Sequence, residues 1–160
     1  MWTLTYLERA RQIIEDNRYM VLATADRNSV PWASPVFFVH DNRYNFYFLS
    51  AIDSRHSENI ISNPSVSMAI FDSTTPVGMT NGVQISGKAN LVEGNVLKDV
   101  IDMYCNRLFP NSEIPSESRY RIEDYSQPSE FRFFKIGIVE AYVTGEERRV
   151  KVDLTKDLSV

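Results

Sequence analysis

Positions 50–59 gather the side chains best suited to chemistry: Ser50, Ser54, Arg55, His56, Ser57 and Asn59. They follow an apolar strand directly and enter a short helix that must stop before Pro64. A phosphate monoester needs such a set. A planar guanidinium pairs two of its oxygens, hydroxyls donate to the rest, and the first amides of a helix lie at its positive end. The same residues read equally well as the solvated face of a short helix.

Other chemical signals are weaker. Residues 82–88 match the opening of a phosphate-binding loop, but Ala89 stands where a magnesium-binding Ser or Thr is required. Val83, Ile85, Gly87, Ala89 and Leu91 alternate as a strand, which cannot curl its amides around a phosphate. Neither a G-x-S-x-G elbow nor a G-x-G-x-x-G turn occurs. His40 ends an apolar strand beside a turn and reads as an edge or capping side chain, and Cys105, next to Tyr104 on a helix, as a small packing residue. The acidic pairs Glu123-Asp124 and Glu146-Glu147 read as solvated turns. Aromatic density at Phe37, Phe38, Phe46, Tyr47 and Phe48 is first a core signal and second a wall for a flat ligand.

The elements that must position these residues are mainly β. Leu4, Leu7, Ile13 and Ile14 recur at helical spacing, and Thr5 with Glu8 fits a capping box, which predicts a helix over 4–17. Residues 19–25 and 30–40, joined by the turn 26–29, read as a hairpin; Asp41-Asn42-Arg43 then turns the chain into a third strand at 44–49. Both faces of that strand are largely apolar or aromatic, Tyr44, Phe46 and Phe48 on one and Asn45, Tyr47 and Leu49 on the other. The inner face is expected to meet the core and the outer face a symmetric partner and a flat ligand.

Val66, Met68 and Ile70 mark a fourth strand, 73–81 a Pro/Gly-punctuated loop, and 83–91 a fifth strand with Gln84, Ser86, Lys88 and Asn90 on its polar face. Val96, Leu97, Val100, Ile101, Tyr104 and Leu108 form a helical stripe over 95–109, which Pro110 ends. Residues 111–128 lack a pattern, apart from a short helix near 117–124, and suit a variable loop. Residues 130–143 alternate again, and 149–154 read as a final strand after the turn at 145–147. Six or seven strands joined mostly by hairpin-length turns indicate an antiparallel barrel or sandwich.

With 160 residues, 43% of them hydrophobic and 24% charged, the chain is expected to form one folded domain over 1–160. Seventeen basic against 21 acidic side chains leave a net charge of -4, the wrong balance for a general nucleic-acid binder. A single cysteine and two histidines fall short of a Cys/His zinc set and fit a reducing compartment. The first residues lack the order of a signal peptide, and no apolar run nears the roughly 18 residues that cross a bilayer. The expected location is cytoplasmic, without a membrane partner.

Five fragments in order carry a resemblance: Met20-Val-Leu-Ala-Thr-Ala-Asp26; Val30-Pro-Trp-Ala-Ser-Pro-Val-Phe-Phe38; Phe46-Tyr-Phe-Leu-Ser50 with Ser54-Arg55-His56 and Asn59-Ile-Ile-Ser-Asn63-Pro64; Val66-Ser-Met-Ala-Ile-Phe71; and Val83-Gln-Ile-Ser-Gly-Lys-Ala89. From about 19 to 92, with a weaker echo over 131–154, the chain resembles the pyridoxamine 5'-phosphate oxidase-like, FMN-binding split-barrel superfamily. The resemblance implies a six-stranded antiparallel split β-barrel that binds FMN at a homodimer interface. It implies that Ser34, Pro35, Val36 and Phe37 run along the flavin, partly through backbone groups. Leu49 and Ser50 adjoin the cofactor, and Ser50, Arg55 and His56 hold its phosphate. The oxidase itself usually has lysine at the second basic position; His56 carries full charge only below a pKa near 6.5. Gln84 reaches the flavin edge in this reading.

Physics points the same way, because a barrel of about six strands is filled by its own side chains and leaves a three-ring cofactor outside. The implied activity is that of an FMN-dependent oxidoreductase acting on a small molecule, with NADH or NADPH as possible donor and no side-chain acid or base demanded. Residues 130–160 lack the oxidase's substrate-phosphate arginine pattern, since Arg148 and Arg149 sit by a turn. A deazaflavin-dependent reductase, a haem-handling protein with His56 or His40 on iron, and a non-catalytic flavin sensor are the alternatives.

Overall fold

Alternating apolar side chains make eight antiparallel strands, and the computed structural model, which describes residues 4–79, 81–111 and 121–156, joins them in one curled sheet. They are β1 (Tyr19–Ala25), β2 (Pro31–Phe37), β3 (Val39–His40), β4 (Phe46–Ala51), β5 (Ser65–Phe71), β6 (Gly82–Leu91), β7 (Phe131–Thr144) and β8 (Arg149–Val152). Helices α1 (Tyr6–Asp16), α2 (Arg55–Ser62) and α3 (Val96–Leu108) are inserted among them. The sheet order is β2-β1-β5-β6-β7-β4-β3, with β8 on β7. Among the described residues no helix is long and apolar enough to cross a membrane.

The expected count of six strands becomes eight partly because the single strand anticipated over 30–40 is broken at Phe38. Up to Phe37 the chain pairs with β1, from Ala25 opposite Pro31 to Tyr19 opposite Phe37; Val39 and His40 pair instead with Tyr47 and Phe46 of β4. β2 and β3 stand at the two ends of the sheet path, yet only Phe38 separates them. One fully buried residue therefore closes the curl into a barrel that stays split between β2 and β4. The third strand starts at Phe46, not at 44. Tyr44 has φ 58°, a left-handed turn conformation, and the Asp41 carboxylate accepts the amides of Arg43 and Asn45 at 2.9 and 3.0 Å.

Inside the barrel, Phe46 faces Ile136 and Phe48 faces Phe134 across β4 and β7, the last two rings stacking at 5.2 Å. α1 adds Ala10 and Ile14 to this core. Its capping box forms as predicted, Thr5 accepting the Glu8 amide at 3.2 Å and Glu8 accepting the Thr5 amide at 2.7 Å, so the helix begins at Tyr6 and Leu4 is left outside it. α2 contributes Ile60, and its buried Asn59 donates to Thr24 of β1 at 3.0 Å.

Outside the barrel, the structure corrects one expectation. The outer face of β4 does not await a partner, because α3 lies on it. Leu97, Val100, Ile101 and Cys105 bury against Val39, Tyr47 and Phe133, with Tyr125 closing the edge. The apolar stripe of α3 must leave water, and an aromatic strand face within the same chain supplies its cover. Residues 82–88 lie in β6 between β5 and β7, as alternation indicated. At Gly87 a Cβ would meet the Gly137 carbonyl oxygen at 2.6 Å, so close strand approach, not phosphate binding, explains that glycine. Of the helix expected near 117–124, residues 117–120 lie outside the described residues, and Ile122–Tyr125 form one 3-10 turn.

Candidate functional site

Ser50 ends β4 and Ser54 caps α2, accepting the Ser57 amide at 3.4 Å, so the strand-to-helix turn brings both hydroxyls to one end of the barrel. His56, on the first turn of α2, points back between them. Its Nε2 lies 2.6 Å from Ser50 Oγ and 3.2 Å from Ser54 Oγ, and its Nδ1 lies 3.2 Å from Ser34 Oγ of β2. Ser50 and Ser54 are themselves 3.0 Å apart, and Ser54 donates to Ser57 at 2.8 Å. The His56 ring packs 6.1 Å from Phe48 at the top of the core. Burial holds its pKa below the ordinary value and so favours the uncharged ring.

The other anticipated residues scatter according to strand parity. Arg55 turns away from His56 and lays its guanidinium 4.4 Å over the Trp32 ring, exposed at the edge of β2. Val36 points into the core, whereas Phe37 packs edge-on to Tyr104 of α3 at 5.1 Å, and Leu49 lies in the same outer layer. Ser57 and Asn59 are buried and engaged within the protein. Pro35 and Gln84 share the outer face of the sheet. Pairs run from Pro35 through Val21, Ala69 and Gln84 to Tyr142 in one row, and from Ala33 through Ala23, Ser67 and Ser86 to Glu140 in the next. Small side chains in both rows leave a groove of about 320 Å³ with Gln84, Glu140 and Tyr142 at one side.

Among the described residues β2 pairs only with β1 along its length, so its far edge offers backbone groups to a ligand. His40 stands apart. Its Nε2 lies 2.8 Å from Glu15 Oε1 and its Nδ1 3.0 Å from the Asp41 carbonyl oxygen, while its ring stacks on Tyr44 at 4.7 Å; it ties α1 to the barrel.

Sequence reasoning missed Arg132. Directly across from Ser50 on β7, it continues the inward ladder of Ile136 and Phe134 and is only 3% exposed. The signal was present, since alternation over 130–136 sets one arginine among phenylalanine and isoleucine on the apolar face.

Comparison with known proteins agrees with this architecture. A UPF0306 protein of Yersinia pestis is 25% identical over 92 residues, 57% of this chain and 62% of that protein; the match thus spans less than two thirds of the relative. The solved structure of HutZ, a haem storage protein of Vibrio cholerae, superposes with a TM-score of 0.67 at 22% identity, covering 83% of this chain and 90% of that one. A haem-binding protein of Mycobacterium smegmatis gives 0.72 at 20% identity over 95% of this chain and 59% of its own. At such identities the likeness establishes the split-barrel fold. The sequence profile of pyridoxamine 5'-phosphate oxidase matches residues 6–145, and with the barrel, its split and its order of strands in place, the chain belongs to the pyridoxamine 5'-phosphate oxidase family.

Proposed function

We propose that this protein is an FMN-binding flavoprotein, an oxidoreductase acting on a small molecule as a homodimer. The observation that carries the reading is the convergence of Ser50, Ser54 and His56 on the first turn of α2, whose leading amides have no acceptor within the helix. This donor set fits a phosphate monoester. The small-residue outer face and the unpaired edge of β2 fit a flat ring system, which a barrel core already filled by Phe46, Phe48 and Phe134 has no room to hold.

In this reading Ser50, Ser54 and His56 bind the phosphate, and Arg55 swings from the Trp32 face to complete the charge. The β2 backbone from Ser34 to Phe37 orients the ring and Gln84 supplies a polar contact at the outer face. FMN, when bound, supplies the hydride or electron transfer. The protein's own part is to anchor, orient and exclude water; a second copy seated on the outer sheet face supplies the exclusion.

A haem reading draws support from the two solved neighbours whose names carry haem. Against a histidine-ligated iron, His40 is spent on Glu15 and the Asp41 carbonyl away from this end of the barrel, and His56 Nε2 lies among the hydroxyls of Ser50 and Ser54, neighbours that suit an oxyanion. The deciding measurement is the absorbance spectrum of purified protein titrated in turn with FMN and haem, followed by NADH or NADPH. Shifted flavin bands bleached by the nicotinamide support the proposal. Flavin bands that no donor bleaches indicate a sensor, and a Soret shift at haem concentrations where FMN has no effect overturns the flavin reading.

A further inference from the structure

The ladder between β4 and β7 runs Phe46–Ile136, Phe48–Phe134 and then Ser50–Arg132, so two aromatic and aliphatic steps give way to a polar one at the barrel mouth. Directly opposed residues of an antiparallel pair have β-carbons about 5 Å apart on one face. Arg132 therefore leaves its strand beside the hydroxyl that holds His56. Its Nη2 donates to Glu93 Oε1 at 3.0 Å, its Nε is buried with no partner among the described residues, and Glu93 itself is 66% exposed. Desolvating a guanidinium against one solvated carboxylate is a poor source of stability, and a buried donor without an acceptor marks a place for one.

We propose that Arg132 is the inner cation of the anion cradle: its Nε–H donates to a phosphate oxygen that Ser50 also holds, while Glu93 on Nη2 offsets part of the guanidinium charge. The inference rests on the phosphate reading of the barrel mouth and adds to it a residue on a different strand from the Ser50–His56 segment. It also assigns an internal competitor. A phosphate on Nε and Glu93 on Nη2 draw on one positive charge, so the Glu93 carboxylate lowers the affinity of the cradle electrostatically without having to leave.

The test compares FMN with riboflavin, which has the same ring and no phosphate, by quenching of flavin fluorescence. Arg132→Gln and Arg132→Lys should raise the FMN dissociation constant about tenfold or more, as for a lost charge-assisted hydrogen bond, and leave riboflavin binding unmoved. Glu93→Gln should tighten FMN up to about fivefold, the usual reach of a partly exposed ion pair. Equal weakening of both flavins, or no change in either, overturns the assignment. Should both Arg132 variants fail to fold, an FMN affinity unaltered by Glu93→Gln overturns it alone. If the wild-type protein binds neither flavin, inorganic phosphate followed by phosphorus NMR separates the two ideas. Broadening lost in Arg132→Gln sinks the flavin reading and keeps Arg132; no broadening in the wild type sinks both.

Discussion

On the wall built from β3, β4 and β7, α3 lays Leu97, Val100, Ile101 and Cys105 over Val39, Tyr47 and Phe133, and none of these is more than 4% exposed. Across β1, β5 and β6, by contrast, Val21, Ser67 and Gln84 stand in water, Ala69 joins Val21 to Gln84, and the neighbouring row is Ala23, Ser67 and Ser86. Side-chain size explains the difference. Aromatic residues on the first wall offer a large apolar area that the stripe of α3 covers, whereas short side chains on the second leave a shallow, flat surface. A wall of that kind suits a flat ligand and a symmetric copy better than it suits a helix of its own chain.

The strongest way to break this comparison is to empty the covered wall. Phe133→Ala should cost about 3–5 kcal/mol of unfolding free energy in urea, because Phe133 is packed between Tyr104 and Tyr125, whereas substitutions on the bare wall should leave stability nearly unchanged. Equal costs on both walls would show that the bare face is also structural. Ser67→Arg places a long cation at the centre of the bare wall and, if the proposed homodimer pairs this face with its own copy, should weaken self-association on the order of a hundredfold by sedimentation equilibrium. A dimer that survives Ser67→Arg intact would move the partner surface elsewhere.

Arg55→Ala, at the rim between the walls, should weaken FMN by roughly 1.5–3 kcal/mol in a fluorescence titration, and an unchanged constant removes Arg55 from the phosphate site. The smallest effect concerns pH. Burial depresses the His56 pKa, so the unfolded chain takes up this proton near 6.5 while the fold still resists it. Stability present above pH 6.5 should therefore fall as the pH drops through that value toward the depressed one. His56→Gln should flatten this part of the profile in urea unfolding at pH 7.5 to 5; a profile identical to wild type excludes His56 as its source.

Much of the frame was readable from local pattern. The Thr5–Glu8 box, the stripe of α3 and the alternation of β1, β5 and β6 each rest on side chains within a few residues of one another. Alternation also placed Gln84 on the outward face of its strand. The break at Phe38 was not readable, because an apolar run continues smoothly from Val36 through Val39 while its pairing changes from β1 to β4. Arg55 and His56 are adjacent in the chain, and nothing local says that one stacks on Trp32 and the other turns inward to Ser34.

What the amino-acid order determined by itself is therefore the set of elements and the face each presents, since capping and periodicity act over one turn or one pleat. What only the tertiary structure decided is which faces meet. Covering the aromatic wall with α3, leaving the small-residue wall bare and bringing Arg132 opposite Ser50 from 82 positions away are long-range choices, settled by which apolar surfaces escape water together.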